Sequence, residues 1–146
     1  MQSHSSATFV VHNLSDAKRA LEIAVQAEID VTLLSAPSAA SLLGPRIFNE
    51  MIATAMSEIE CDGIKVDAAI DCGDTPGPAL RAIKEGCQHI VSNAPSDAIA
   101  KISQIATASN TQVTTGQIPA LDLGSSKLTD GQLLTWVTKQ EYSAHA

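Results

Sequence analysis

One stretch of this chain, Val66 to Asn93, limits what the whole can become. Val66-Asp67-Ala68-Ala69-Ile70 is a short, mostly apolar run of strand length, and it ends in the polar turn Asp71-Cys72-Gly73-Asp74. Thr75 follows as a helix cap, because its hydroxyl can accept from an N–H that has no partner inside the helix. Pro76 then takes the first helical position, where a missing N–H costs nothing. Ala79, Leu80, Ala82 and Ile83 give that helix an apolar side, and Gly86 is a natural left-handed terminator. His89-Ile90-Val91 reads as the next strand. Strand–helix–strand at this spacing is the parallel crossover unit, which is right-handed in nearly all cases. That handedness brings both strand C-termini, Asp71 to Asp74 and Ser92-Asn93, to one edge of a sheet. Ligands of open parallel sheets bind at that edge.

The flanking sequence repeats the theme. Thr8 to Val11 is a β-branched and aromatic run, read as a first strand that ends at His12-Asn13. Ser15 is a good N-cap, and Ala17, Ala20, Leu21, Ala24 and Val25 follow helical spacing. Val31 to Leu34 reads as the second strand and stops at Ser35-Ala36-Pro37. Ser38 to Gly44 suits a loop or a short helical turn. From Pro45 onward, Ile47, Phe48, Met51, Ile52, Ala55, Met56 and Ile59 form one apolar helical face. Pro95 marks another helix start, with Ile99, Ile102, Ile105 and Ala106 on its buried side. Thr111 to Thr115 is a fifth strand whose polarity places it at a sheet edge. Gln117 to Lys127 reads as an extended or looping tail. Thr129-Asp130-Gly131-Gln132 fits a capping box ahead of a short helix carrying Leu133, Leu134, Trp136 and Val137.

This order predicts an α/β fold: an open, doubly wound, mainly parallel five-stranded sheet of the flavodoxin-like kind. A partial TIM-type barrel is the structural rival, since a strand–helix series alone does not say whether the sheet closes. The length of 146 residues suits one domain, with a core over about 8–115 and a C-terminal extension over 116–146. Met1 to Ser6 reads as a frayed polar leader, and His4 and His145 as terminal residues without a role.

Composition removes several function classes. Net charge is −7, and no Lys/Arg cluster interrupts it, which argues against a nucleic-acid partner. Aromatics are only 3%, so base-stacking platforms are also missing. No apolar run approaches membrane-spanning length, and the start of the chain lacks the pattern of a signal peptide. Cys61, Cys72 and Cys87 are odd in number and match no zinc spacing. The expectation is a cytoplasmic protein in a reducing setting, with no membrane or nucleic-acid partner.

Parallel strands would collect His12, Asn13, Ser35, Asp71, Cys72, Asp74, Asn93 and Thr115 at one edge, where helix N-termini favour a phosphate or carboxylate. Thr75 joins them as the cap of its helix. Asp71 and Asp74 could hold a divalent cation. The plainer reading is that Asp74 caps the following helix and Asp71 bonds turn N–H groups. Cys72 beside His12 would make a nucleophile pair, but flanking carboxylates raise a thiol's pKa and work against it. His89 opens a strand away from the proposed site and reads as a surface or packing residue. No Gly-rich dinucleotide motif, P-loop or nucleophile-elbow motif is present, and no Lys stands at a strand C-terminus for Schiff-base chemistry.

The segments Leu33 to Pro37, Gly44-Pro45 and Asp71-Cys72-Gly73-Asp74-Thr75-Pro76-Gly77-Pro78-Ala79-Leu80 resemble a group of small bacterial single-domain α/β proteins of unknown function, over roughly residues 8–115. The resemblance implies a bacterial, single-domain, cytoplasmic protein and carries no activity or cofactor with it. The leading expectation is a domain that binds a small anionic or phosphorylated ligand at residues 12–13, 35–38, 71–75 and 92–95. Two alternatives stand beside it. One is a lyase or hydrolase using Asp71 and Asp74, with or without a metal. The other is a homo-oligomeric structural protein packed through its fifth strand or its Trp136 helix.

Overall fold

Strand register explains where each side chain goes, so the sheet comes first. The computed structural model describes residues 6–145, with side chains as far as Thr138. His4 and the side chain of His145 lie outside the described residues. Strand β1 (Ser6–Val10) leads to α1 (Leu14–Ala27), β2 (Asp30–Leu34), α2 (Ala39–Leu42) and α3 (Pro45–Glu58). Then follow β3 (Val66–Asp71), α4 (Pro76–Lys84), β4 (His89–Val91), α5 (Ser96–Ala108), β5 (Gln112–Thr114), β6 (Leu121–Asp122) and α6 (Asp130–His145). Ser6, expected in the leader, is already strand and pairs with Asp30.

All pairings are parallel, in the order β5-β4-β3-β2-β1-β6. The chain winds one way from β1 to β5, then returns past β1 to lay down β6. β5 and β6 remain edges, so the sheet is open and not a closed barrel. This is the open, parallel, flavodoxin-like α/β fold expected from the sequence, with six strands instead of five. The extra strand arises within Gln117 to Lys127, where Leu121 and Asp122 pair with Phe9 and Val10. Two residues are too few to show strand periodicity, and their partner is distant in sequence. The polar β5 does lie at an edge, as expected.

Alternation sorts the side chains onto two faces. Phe9, Leu33 and Ala68 form one row across the sheet, and Ile70, Ile90 and Val113 form another. These residues pack with Ala17, Leu21, Ala24, Phe48, Ala55, Ala79, Ala82 and Ile102 of the helices into the main core. Many helical members are Ala, which lets helices approach the sheet closely. On the opposite face, Leu34, Ala69 and Val91 form a smaller cluster covered by Val10, Ile118 and Ala120. Ile118 and Ala120 belong to the segment that carries the chain from β5 to β6. No described residue on that covering segment is helical.

The C-terminal helix docks on the chain's own core. Leu133 and Val137 are buried, and the Trp136 ring lies 5.7 Å from Phe9, tilted by 53°. Its capping box forms as expected: Thr129 N–H donates to Gln132 Oε1 at 2.9 Å, and Gln132 N–H donates to Thr129 Oγ1 at 3.2 Å. Arg19 of α1 clasps the same helix start, donating to Asp130 Oδ1 at 2.7 Å. No described helix is long and apolar enough to cross a membrane.

Candidate functional site

The turn after β1 supplies the first group. Asn13, not Ser15, caps α1: its Oδ1 accepts the Asp16 N–H at 2.8 Å. Asp16 Oδ2 in turn accepts the His12 N–H at 3.0 Å, so the two side chains close the helix start reciprocally. That arrangement commits Asn13 to structure and adds a carboxylate to the first turn. The His12 ring points across to β6, with Nε2 2.7 Å from Asp122 Oδ1. Asp122 Oδ1 also accepts the Gly124 N–H at 2.8 Å. Burial pushes the Asp122 carboxyl upward, but the hydrogen bonds from His12 and from the Gly124 and Ser125 amides outweigh it and hold the group below its usual range. Gly124 lies against the ring, and a Cβ there would clash with His12 Cδ2 and Nε2. The His12–Asp122 pair therefore sits where the winding reverses between β1 and β6, which is the crevice that open α/β sheets use for ligands.

The turns after β2 and β3 lock to each other. Ser35 is buried; its hydroxyl donates to Ala36 O at 3.0 Å and accepts the Asp71 N–H at 2.8 Å. Asp71 Oδ1 accepts the N–H groups of Ser38 and Gly73, both at 2.9 Å. Both of those residues have left-handed backbones, with φ of 57° at Ser38 and 70° at Gly73. One carboxylate thus ties two turns together, and at Ser38 it holds a non-glycine residue in the left-handed region. Asp74 and Thr75 are exposed, and Thr75 caps α4 with its extended backbone while its hydroxyl makes no cap bond. Asn93 Oδ1 accepts the Gly116 N–H at 2.7 Å, and its own N–H donates to Gly73 O at 2.9 Å. Among the described residues, no group of three His, Cys, Asp or Glu side chains is placed to hold a metal ion.

Cys72 is buried on the helix side of the sheet, and its thiol is pushed up to about 12, first by burial and then by the neighbouring Asp71 and Cys87. A thiol so placed stays protonated at neutral pH and is a poor nucleophile.

His12 and Ser35 meet in a pocket of ≈ 270 Å³ between the ends of β1 and β2. Its other walls are apolar: Val11, Ala36, Pro37, Ala39, Leu42, Leu43, Phe48 and Met51. Of the expected edge residues, then, His12 and Ser35 share a cavity. Asp71 braces Ser35 from outside, Asn93 braces the Gly73 turn, and Asp74 and Thr75 do not line the pocket.

Two polar groupings escaped the sequence reading. Asp122 was hidden in the supposed tail. Of the surface and packing roles open to His89, burial selects packing, and its ring gains two polar partners, with Nδ1 2.6 Å from Asp67 Oδ2 and Nε2 2.8 Å from Thr114 Oγ1. The available signal was a charged residue at the second position of an otherwise apolar strand, which asks for a partner on the next strand. Comparison with protein-family models finds no match for this chain, and comparison with curated proteins finds none either.

Proposed function

We propose that this protein binds a small ligand in the pocket between the C-termini of β1 and β2, and that the ligand joins a compact apolar body to a single anionic group met by His12 as an imidazolium, one N–H on Asp122 and the other on the ligand. The observation that carries this reading is the meeting of a part-exposed imidazole with an otherwise apolar wall that includes Phe48 and Met51. A few polar groups among hydrophobic ones is the usual make-up of a small-molecule site. The volume of ≈ 270 Å³ falls just under the ~300 Å³ lower end for drug-sized ligands, so the ligand is small.

A carboxylate fits better than a phosphate. At the start of α1 the Asp16 N–H is already taken by Asn13, and the Asp16 carboxylate standing there repels a second anion. The start of α4 contains Pro76 and Pro78, which have no N–H to offer. A chain of net charge −7 also disfavours multiply charged anions. A thermal-shift screen of straight-chain carboxylates against sugar phosphates tests the idea. Stabilisation by the carboxylates that His12→Ala abolishes is the expected result. A flat response, or one indifferent to His12→Ala, overturns it.

A second reading, self-association, is favoured by one observation: Leu42, Leu43 and Ile47 beside the pocket are 82%, 42% and 55% exposed. Light scattering of the wild type against Leu42→Ser tests it; a monomer at high concentration in both removes it.

A further inference from the structure

The face of the sheet away from the helices carries a polar diagonal that the pocket does not use. Asp67 is the second residue of β3, His89 opens β4 and Thr114 closes β5. His89 pairs with Ala69 on one side and with Gln112 on the other, so each partner of its ring stands two residues off, Asp67 below and Thr114 above. The diagonal climbs toward the C-terminal edge, and the hydroxyl is the member nearest that edge. His89 is 6% exposed, whereas Asp67 and Thr114 are half-buried.

The order of partners matters. A carboxylate only accepts, so the 2.6 Å contact assigns the ring proton to Nδ1. In the neutral ring, Nε2 then presents a lone pair, and the Thr114 hydroxyl donates to it over 2.8 Å. A neutral histidine needs an acceptor at one ring nitrogen and a donor at the other, and here Asp67 and Thr114 supply them. Carboxylate on one nitrogen and hydroxyl on the other is the arrangement in which a base is oriented by an acid and withdraws a proton from a nucleophile. Thr32 Oγ1, 3.4 Å from Asp67 Oδ2, steadies the carboxylate from the neighbouring strand.

We infer that Thr114 is a nucleophile for acyl transfer, with His89 as its general base and Asp67 as the positioning residue. Thr114 Oγ1 attacks the carbonyl carbon of an ester while its proton passes to His89 Nε2. Collapse of the tetrahedral adduct breaks the bond to the leaving alcohol, which departs with that proton, and the acyl group remains as an ester on Oγ1. Water repeats the cycle in the second half, giving its proton to Nε2, and the acyl group leaves as a carboxylic acid. No electrons are exchanged and no cofactor is required. The pocket lined by His12 is built on Phe48 and Met51 of the helix side, so the two proposals fail separately.

The test is acetylation of the full chain by p-nitrophenyl acetate, located by peptide mass spectrometry. Acetyl on Thr114 is expected, lost in Thr114→Ala, kept in Thr114→Ser, and slowed at least ~10²-fold in His89→Gln. If circular dichroism shows His89→Gln to be unfolded, Asp67→Asn takes its place and the same slowing is expected. Acetyl confined to lysines or the N-terminus, or equal acetylation of Thr114 in the wild type and the folded variant, overturns the inference.

Discussion

His12 Nε2 lies 2.7 Å from Asp122 Oδ1, joining the first strand's exit to the last strand across 110 residues of sequence. Beside that hydrogen bond the ring meets Gly124, which presents a bare Cα to it. Gly124→Ala would drive a methyl group into the ring at Cδ2 and Nε2 and push it off Asp122. The expected loss is about 1–3 kcal/mol of unfolding free energy, measured by urea denaturation. In the background of His12→Ala the same change should cost far less, since the clash has gone.

The acid side of the stability curve should carry the mark of Asp122. Its folded carboxyl ionises more readily than the unfolded one. The stability it contributes is therefore whole above the unfolded value of ~3.9 and is lost as pH falls through the lower folded value. The gap between wild type and Asp122→Asn should be steady near pH 5 and should close on further acidification. With the side chain 40% exposed, that gap is below ~1 kcal/mol. Melting temperatures at several acidic pH values would read it, and a gap that widens toward pH 2 would contradict the assignment.

Ser35 and Asp71 form the structural brace of the edge. Ser35→Ala leaves the Asp71 N–H without its acceptor in a buried turn, at a cost of about 1–3 kcal/mol. Asp71→Ala frees the N–H groups of Ser38 and Gly73 together, and should cost at least as much. Chemical denaturation measures both. A magnesium titration on the same samples separates bracing from metal binding, because only the latter raises the wild-type melting temperature and not that of Asp71→Ala.

Thiol labelling should divide the cysteines. Cys72 and Cys87 are buried with thiols pushed upward chiefly by burial, while Cys61 is part-exposed. Native protein at pH 8 should be alkylated at Cys61 first, with Cys72 untouched until denaturant is added. Rapid native labelling of Cys72 would restore the nucleophile reading.

The local signals carried well. Pro45, Pro76 and Gly86 punctuate the chain where helices begin and end, and the apolar spacing from Phe48 to Ala55 shows which face is covered. These depend on neighbours within a turn or two. What stayed hidden depends on register. Asp67 meets His89 because β3 pairs with β4 two residues out of step with them, and His12 meets Asp122 because the chain comes back to β1. No periodicity announces a two-residue strand flanked by Pro119 and Gly124. Ser15 and Asn13 were both good cap residues by type, and only the reciprocal bond with Asp16 favours Asn13.

The return of the chain to β1 also has a kinetic meaning. Strands β1 to β5 can each join a neighbour as soon as the intervening helix exists, but β6 must wait until nearly the whole polypeptide is available. During synthesis or refolding the outer backbone of Phe9 and Val10 stays unsaturated for that interval, an open template for another chain's strand. A net charge of −7 on the finished chain opposes such pairing between copies.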